Sequence, residues 1–232
     1  MLICGLEKMS LVDYDGLVAC TIFTGGCNFK CGFCHNSALV LSANSLVTIP
    51  EEEVLSYLKK RVGVIDGVCV SGGEPTLQKD LPDFLEKIKK LGLKVKLDTN
   101  GTRPDLIKSF NENGLVDYFA MDIKNDIKNY AKIIGFDTYN TLKVEQSVEY
   151  FLTSNADYEF RTTLIKEYHS EDNIRDIAEW IKGANKYFLQ KFRNGENCIL
   201  QNLNEVPLST AKEYQNILSP FIKKVSLRSY ED

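Results

Sequence analysis

Three cysteines stand close together near the start of the chain, in the loop Gly26-Cys27-Asn28-Phe29-Lys30-Cys31-Gly32-Phe33-Cys34. Thiolates are the ligands that soft metals and iron–sulfur clusters prefer. A structural zinc site would normally add a fourth local ligand, but the remaining cysteines stand singly. Three thiolates therefore predict a 4Fe–4S cluster in which one iron is left open to a substrate. A structural zinc site that uses His35 or a distant cysteine is the alternative.

Composition limits the rest of the interpretation. The chain has 232 residues, of which 44% are apolar and 26% charged, which is typical of one ordinary domain with a sizeable core. We expect a single domain over residues 1–232, with an N-terminal extension (1–17) that leads into the first strand. The net charge of −4 gives no bulk attraction for nucleic acid, so no nucleic-acid partner is expected. No run is apolar enough to span a membrane. Seven cysteines, an odd number with three in one loop, fit a reducing compartment, and we expect a cytoplasmic protein.

Apolar β-branched runs alternate with amphipathic stretches, which predicts repeated β/α units around a parallel sheet. About six such units are too few to close an eight-fold barrel, so we predict an α/β fold that forms an open, partial barrel. The predicted strands are 18–23, 67–70, 93–97, 118–121, 158–165, 187–192 and, as a short terminal strand, 225–227. The predicted helices begin near Pro50, Leu81, Pro104, Asn140, Ser170 and Ser209.

Polar residues follow several of these strands, where the active sites of parallel α/β folds lie. Gly72-Gly73-Glu74-Pro75 follows the second predicted strand, Asp98-Thr99 the third and Asp122-Ile123-Lys124 the fourth. Each has an ordinary structural interpretation: a turn for the glycines, capping or hydrogen bonding for the two aspartates, and surface ion pairs for Lys124 and Arg161. Both interpretations remain open at this point.

The cysteine spacing, with Phe33 before the last cysteine, resembles the radical S-adenosylmethionine superfamily, whose fold is a partial β/α barrel. In that family the open iron binds the amino and carboxylate groups of S-adenosylmethionine. Reductive cleavage then yields methionine and a 5′-deoxyadenosyl radical, which takes a hydrogen atom from the substrate. The resemblance implies an enzyme, an oxidoreductase, with Cys27, Cys31 and Cys34 holding the cluster and Phe33 near the adenine. Gly72, Gly73 and Glu74 resemble the family's second motif, which satisfies the amino group.

Cys34-His35-Asn36, Asp98-Thr99-Asn100-Gly101 and Asp122-Ile123-Lys124 resemble the glycyl-radical-enzyme activases, including those of pyruvate formate-lyase. The resemblance implies that a monovalent cation helps to hold the cofactor carboxylate, with Asp98, the Thr99 hydroxyl, the Ala120 carbonyl and Asp122 as its ligands. It also implies cofactor contacts from Asn36, Lys124, Arg161 and Gln190. Its implied partners are a glycyl radical enzyme as protein substrate and flavodoxin or ferredoxin as electron donor.

Residues 6–16 and 24–27 most resemble the activating proteins of anaerobic ribonucleoside-triphosphate reductase, although Asp15 stands where that group would have proline. That reductase is therefore the favoured partner. Pyruvate formate-lyase or another glycyl radical enzyme, a small-molecule reaction such as that of 7-carboxy-7-deazaguanine synthase, and a non-enzymatic zinc or iron–sulfur module are the alternatives. Among the other residues, we expect Cys20 and Cys69 in the core, Cys4 and Cys198 as incidental thiols, and His169 at the surface.

Overall fold

The structure is a computed structural model, and it describes residues 1–230. Eight strands form one sheet in which each strand neighbours the next along the chain, with β1 and β8 at its two ends. The strands are β1 (Ile3–Ser10), β2 (Ala19–Thr24), β3 (Gly67–Gly72), β4 (Lys94–Thr99), β5 (Tyr118–Asp122), β6 (Tyr158–Leu164), β7 (Tyr187–Lys191) and β8 (Val225–Arg228). The predicted α/β class and open, mostly parallel sheet are confirmed.

Eight helices follow or connect these strands. They are α1 (Ser37–Leu41), α2 (Glu51–Arg61), α3 (Leu81–Lys90), α4 (Pro104–Glu112), α5 (Tyr130–Ile133), α6 (Leu142–Thr153), α7 (Glu171–Trp180) and α8 (Leu208–Leu218). Short apolar faces such as Leu81, Phe84, Leu85 and Ile88 on α3 give the helical periodicity that predicted the longer ones. Within residues 1–230, none of the helices combines the length and apolar character that crossing a bilayer requires.

All seven predicted strands are confirmed, within two residues at each end, but β1 was missed. It lies inside the segment expected to be an extension, and it pairs antiparallel with β2, Ile3 opposite Thr24. Most of its residues are half-buried or exposed, so its sequence shows little of the alternation that marks a strand. Pairing with β2 therefore stabilises β1 more than its own apolar residues do. The short helices α1 and α5 were missed because four or five residues are too few to show a helical period.

The chain forms two compact units. The first comprises residues 1–28, 38–99 and 103–120; the second comprises 29–37, 100–102 and the chain from residue 121 onward. In the first, β2, β3 and β4 are parallel, with Ile22 opposite Val70 and Val68 opposite Val95. In the second, β6, β7 and β8 are parallel, with Phe160 opposite Tyr187. The expectation of a single domain over 1–232 stays a prediction.

The core of each unit is made of fully buried side chains from strands and helices. In the first unit these are Ile22, Val70, Leu97, Leu58 and Phe84, and in the second Phe160, Leu189, Ile174, Ile177 and Phe192. The helix α7 begins at the predicted cap, where the Ser170 hydroxyl accepts from the backbone N–H of Asn173. Because the Asn173 side chain accepts in return from the Ser170 N–H, at 2.8 Å, this is a complete capping box.

The backbones at the ends of β2 and β3 approach each other closely in the first unit. The N–H of Gly73 donates to the Thr24 carbonyl and the N–H of Glu74 to the Gly26 carbonyl, each at 2.8 Å. A Cβ added to Gly73 would lie 2.0 Å from the Gly26 carbonyl oxygen. Gly72 has φ +117°, a conformation that side chains rarely adopt. The two glycines are therefore required for the chain to enter the cysteine loop on this path.

Gly73→Ala should lower the free energy of unfolding by about 1–3 kcal/mol, because the new Cβ meets backbone and the Glu74–Gly26 hydrogen bond must lengthen. Chemical denaturation measures this. The matched control is Gly195→Ala, where an added Cβ has no neighbour within 4 Å and the change should stay within about 0.5 kcal/mol. Equal stability of the two variants would contradict the close approach.

Candidate functional site

None of the three clustered cysteines forms a disulfide. Cys27 is half-buried, just beyond β2 in the first unit. In the second unit Cys31 is buried and Cys34 half-buried, and the N–H of Cys34 donates to the Cys31 carbonyl at 3.0 Å, which closes a turn between them. The N–H of Lys30, one residue before Cys31, donates to the Ile134 carbonyl at 2.9 Å. Backbone hydrogen bonds of Lys30 and Cys34 thus hold the loop before and after Gly32.

The donor chemistry of this loop fits a 4Fe–4S cluster, because three cysteine thiols within eight residues are soft ligands of the required type. Among residues 1–230, no group of three or more Cys, His, Asp or Glu side chains lies close enough together to hold a metal ion. The assignment of Cys27, Cys31 and Cys34 as cluster ligands therefore rests on residue type and spacing, and it stays a prediction.

Glu74 is a buried acid that organises the end of β3 in the first unit. Its side chain is 1% exposed, and Oε1 accepts from the Thr76 N–H at 3.1 Å, the Thr76 hydroxyl at 2.5 Å and the Thr99 hydroxyl at 2.9 Å. The same contacts make Glu74 the cap of the short 3₁₀ turn that follows. The predicted motif residues Glu74 and Thr99, from two different strand ends, are therefore brought together.

Asp98, near the end of β4, is engaged by two side chains of the first unit. Its Oδ2 accepts from the Ser71 hydroxyl at 3.0 Å, and its Oδ1 lies 3.1 Å from the Lys96 ammonium. Lys96 is itself buried and donates to the Asp13 carbonyl at 2.6 Å. Asp98 therefore forms the hydrogen bond that the structural interpretation expected of an acid at a strand end. Its carboxylate also pairs with the Lys96 ammonium.

Asp122, Lys124 and Arg161 form an ion cluster in the second unit. The Lys124 ammonium lies 2.9 Å from Oδ2 of Asp122, and Nε of Arg161 lies 2.9 Å from Oδ1. Side-chain exposure is 28%, 16% and 11% for the acid, the lysine and the arginine, so these are partly buried pairs and not the surface pairs of the alternative. Two cations therefore face one carboxylate.

Lys124 also connects this ion cluster to the cysteine loop. Its ammonium lies 5.6 Å from the centre of the Phe33 ring, within cation–π range. Burial disfavours the charged amine, but the negative charge of Asp122 and that of Cys31 in its thiolate form outweigh it and raise the pKa of Lys124. Burial raises the pKa of Cys34, and the Lys124 charge and the backbone N–H of Asn36 only partly oppose this. The predicted residues of the second unit therefore act on one another electrostatically.

The remaining predicted positions lie on or beside strands of these two units. Gln190 is half-buried on β7, opposite Thr163 of β6, and Ala120 is buried on β5. Asn36 is exposed, two residues after Cys34. Their roles toward a cofactor stay predictions.

The expectation that His169 lies at the surface is wrong. The residue is 3% exposed, and its ring nitrogens lie 2.9 Å from the Ile165 amide nitrogen and 3.0 Å from the Lys124 carbonyl. Burial lowers the pKa of this imidazole. Its position beside the Ser170 cap suggested a loop, but the ring ties the segments after β5 and β6 together.

The sequence also gave no role to Cys198, which the structure places against the cysteine loop. Its thiol is 5% exposed and lies 3.9 Å from both the Phe33 carbonyl oxygen and Nδ1 of His35. It stands more than 160 residues from its contacts and belongs to no motif. One feature of the sequence could have indicated this contact. Cys198 follows β7, and the predicted site residues also lie at or after the ends of strands.

Comparisons with known proteins show the family of this chain. Residues 21–181 match the model of the Radical SAM superfamily. A candidate glycyl-radical enzyme activating enzyme of Methanocaldococcus jannaschii is 30% identical over 237 residues, covering 98% of this chain and 96% of that protein. The 7-carboxy-7-deazaguanine synthase of Thermoplasma acidophilum is 26% identical over 182 residues, which cover 74% of this chain and 83% of that protein.

The fold has solved counterparts as well. The structure of Streptococcus suis SuiB bound to S-adenosylmethionine superposes with a TM-score of 0.70 over 88% of this chain and 48% of SuiB, at 14% identity. At that identity the likeness concerns the fold alone. The family match covers more than half of the chain, and the archaeal relative spans nearly all of it. The chain therefore belongs to the radical S-adenosylmethionine superfamily, and this membership implies a 4Fe–4S cluster and S-adenosylmethionine as its cofactors.

Proposed function

We propose that this enzyme is a glycyl-radical-enzyme activating enzyme, with anaerobic ribonucleotide reductase as its favoured partner. The observation that carries the proposal is the 30% identity to a candidate activating enzyme along almost the full length of both chains. The residues of the N-terminal segment and the cysteine loop supply the preference for the reductase. Flavodoxin or ferredoxin is the proposed electron donor.

In this proposal Cys27, Cys31 and Cys34 hold the cluster through their thiolates. When bound, the cluster supplies the electron that cleaves S-adenosylmethionine to methionine and a 5′-deoxyadenosyl radical, which takes a hydrogen atom from a glycine Cα of the partner. The glycines at 72 and 73 leave the backbone free of side chains beside Glu74, where the cofactor's amino group would bind. Phe33 offers a buried aromatic ring for the adenine, and Asn36 and Gln190 offer polar groups.

Recognition of the cofactor carboxylate is assigned to the ion cluster of Asp122, Lys124 and Arg161. Its two cationic side chains suit an anionic group, and a guanidinium can bind a carboxylate through two nitrogens. We also propose a monovalent cation held by Asp98, Thr99, the Ala120 carbonyl and Asp122. Because each of the two carboxylates already has a cationic partner in the structure, such an ion would have to displace or share those contacts.

Replacing any one of the cluster cysteines tests the ligand assignment. We expect Cys27→Ala, Cys31→Ala and Cys34→Ala each to reduce formation of 5′-deoxyadenosine by at least about a hundredfold, since three ligands are the minimum for the cluster. Chromatography of the reaction with dithionite as reductant measures this. The matched control is Cys20→Ala, which removes a buried thiol of the sheet and should leave cleavage in place. Retained cleavage in any loop variant would contradict the assignment.

The partner is tested by incubating the reduced enzyme anaerobically with S-adenosylmethionine and, in parallel, anaerobic ribonucleotide reductase and pyruvate formate-lyase. Electron paramagnetic resonance should show a glycyl radical on the reductase, and none on a reductase whose radical glycine is replaced by alanine. A radical on pyruvate formate-lyase alone would reassign the partner. Cofactor cleavage without a radical on either protein would overturn the activase, and formation of 7-carboxy-7-deazaguanine would support the deazaguanine-synthase alternative.

A further inference from the structure

A segment after β7 lies directly against the cysteine loop within the second unit. The N–H of Leu200 donates to the Gly32 carbonyl at 2.7 Å. The Cys198 thiol donates to the next carbonyl, that of Phe33, at 3.9 Å, and lies 3.9 Å from Nδ1 of His35. Both carbonyls between Cys31 and Cys34 are therefore bound by one short segment, Cys198 to Leu200.

The side chain of Leu200 covers the same part of the loop. A Cβ built on Gly32 would lie 2.5 Å from Cδ1 and 2.9 Å from Cγ of Leu200, so the leucine lies immediately above the Gly32 backbone. Leu200 is nevertheless 47% exposed, which is unusual for a residue held by a short backbone bond. One side of the side chain packs on the loop and the other faces water, as expected of an apolar cover.

These contacts fix the direction of two peptide groups. In a trans peptide the C=O and N–H point in opposite directions. Binding the Gly32 and Phe33 carbonyls on one side therefore directs the N–H groups of Phe33 and Cys34 to the other side. The Cys34 N–H already donates to the Cys31 carbonyl, which holds the turn between the two cysteines. The segment thus determines the conformation of the loop from outside its own sequence.

We propose that the segment Cys198–Leu200 positions the Cys31–Cys34 turn for cluster binding, with Cys198 and Leu200 as positioning residues. The inference rests on the assignment of Cys31 and Cys34 as cluster ligands in the proposed function. Hydrogen bonds around ligating thiolates and the exclusion of water control how firmly a metal centre is held and at what potential it is reduced. Loosening this segment should therefore change both properties without removing a ligand.

The test compares Cys198→Ala, Leu200→Ala and the double variant with the unmodified enzyme after anaerobic cluster reconstitution. We expect the double variant to lose its visible cluster absorption in air about tenfold faster, and to show a shifted midpoint potential. In the iron-free protein, alkylation of Cys34 by iodoacetamide, followed by mass spectrometry, should be several-fold faster in the same variant. Cys198→Ser keeps a hydroxyl that can donate to the Phe33 carbonyl. It should therefore recover most of the stability that Cys198→Ala loses.

Cys20→Ala is the matched control, because it also removes a buried thiol, but one on β2 in the first unit. Thermal melting of each variant separates loss of fold from loss of positioning. If the double variant melts normally and matches the unmodified enzyme in air stability, potential and alkylation, the positioning role is overturned. Iron content of Cys34→Ala distinguishes the two proposals. If Cys34→Ala binds as much iron as the unmodified enzyme, the ligand assignment is wrong. If Cys34→Ala loses iron while the double variant behaves like the unmodified enzyme, only the positioning role is overturned.

Discussion

The bond between the Glu74 N–H and the Gly26 carbonyl is the contact on which the site depends most. At 2.8 Å it joins the end of β3 to the residue that precedes the first clustered cysteine. Only a residue without Cβ can stand at position 73, because the Gly26 oxygen occupies the place where a Cβ would lie. The same turn aims the Glu74 carboxylate toward Thr76 and Thr99. One backbone contact thereby fixes the entry to the cysteine loop and the acid motif together.

Charge is organised differently in the two units. In the first, the strand-end acids are satisfied by hydroxyl groups and by Lys96, so that Glu74 and Asp98 are held in place by the protein itself. In the second, two cations share one carboxylate, and Lys124 extends its influence to the Phe33 ring and the Cys31 thiol. Lys124 therefore places a positive charge beside the cysteine loop of the second unit, which suits an anionic cofactor.

The sequence predicted the strands well because β2 to β6 are buried enough to show an apolar pattern. It also placed Glu74 and Thr99 at neighbouring strand ends, and the structure brings them into contact. It did not predict β1, whose exposed edge pattern depends on pairing with β2. The expectation for His169 was wrong for a related reason. Its ring contacts the Lys124 carbonyl, as the Cys198 thiol contacts the Phe33 carbonyl, across a long stretch of chain. Such contacts leave no periodicity or motif in a single sequence.

The central claim is that three thiolates of this loop hold a cluster with one iron open to S-adenosylmethionine. Electron paramagnetic resonance of the reduced, anaerobically purified enzyme, recorded before and after addition of S-adenosylmethionine, tests it directly. The account predicts the spectrum of a reduced 4Fe–4S cluster that changes when the cofactor is added, because a new ligand alters the electronic environment of the open iron. A protein that carries zinc and no iron, or a cluster spectrum that the cofactor leaves unchanged, would contradict it.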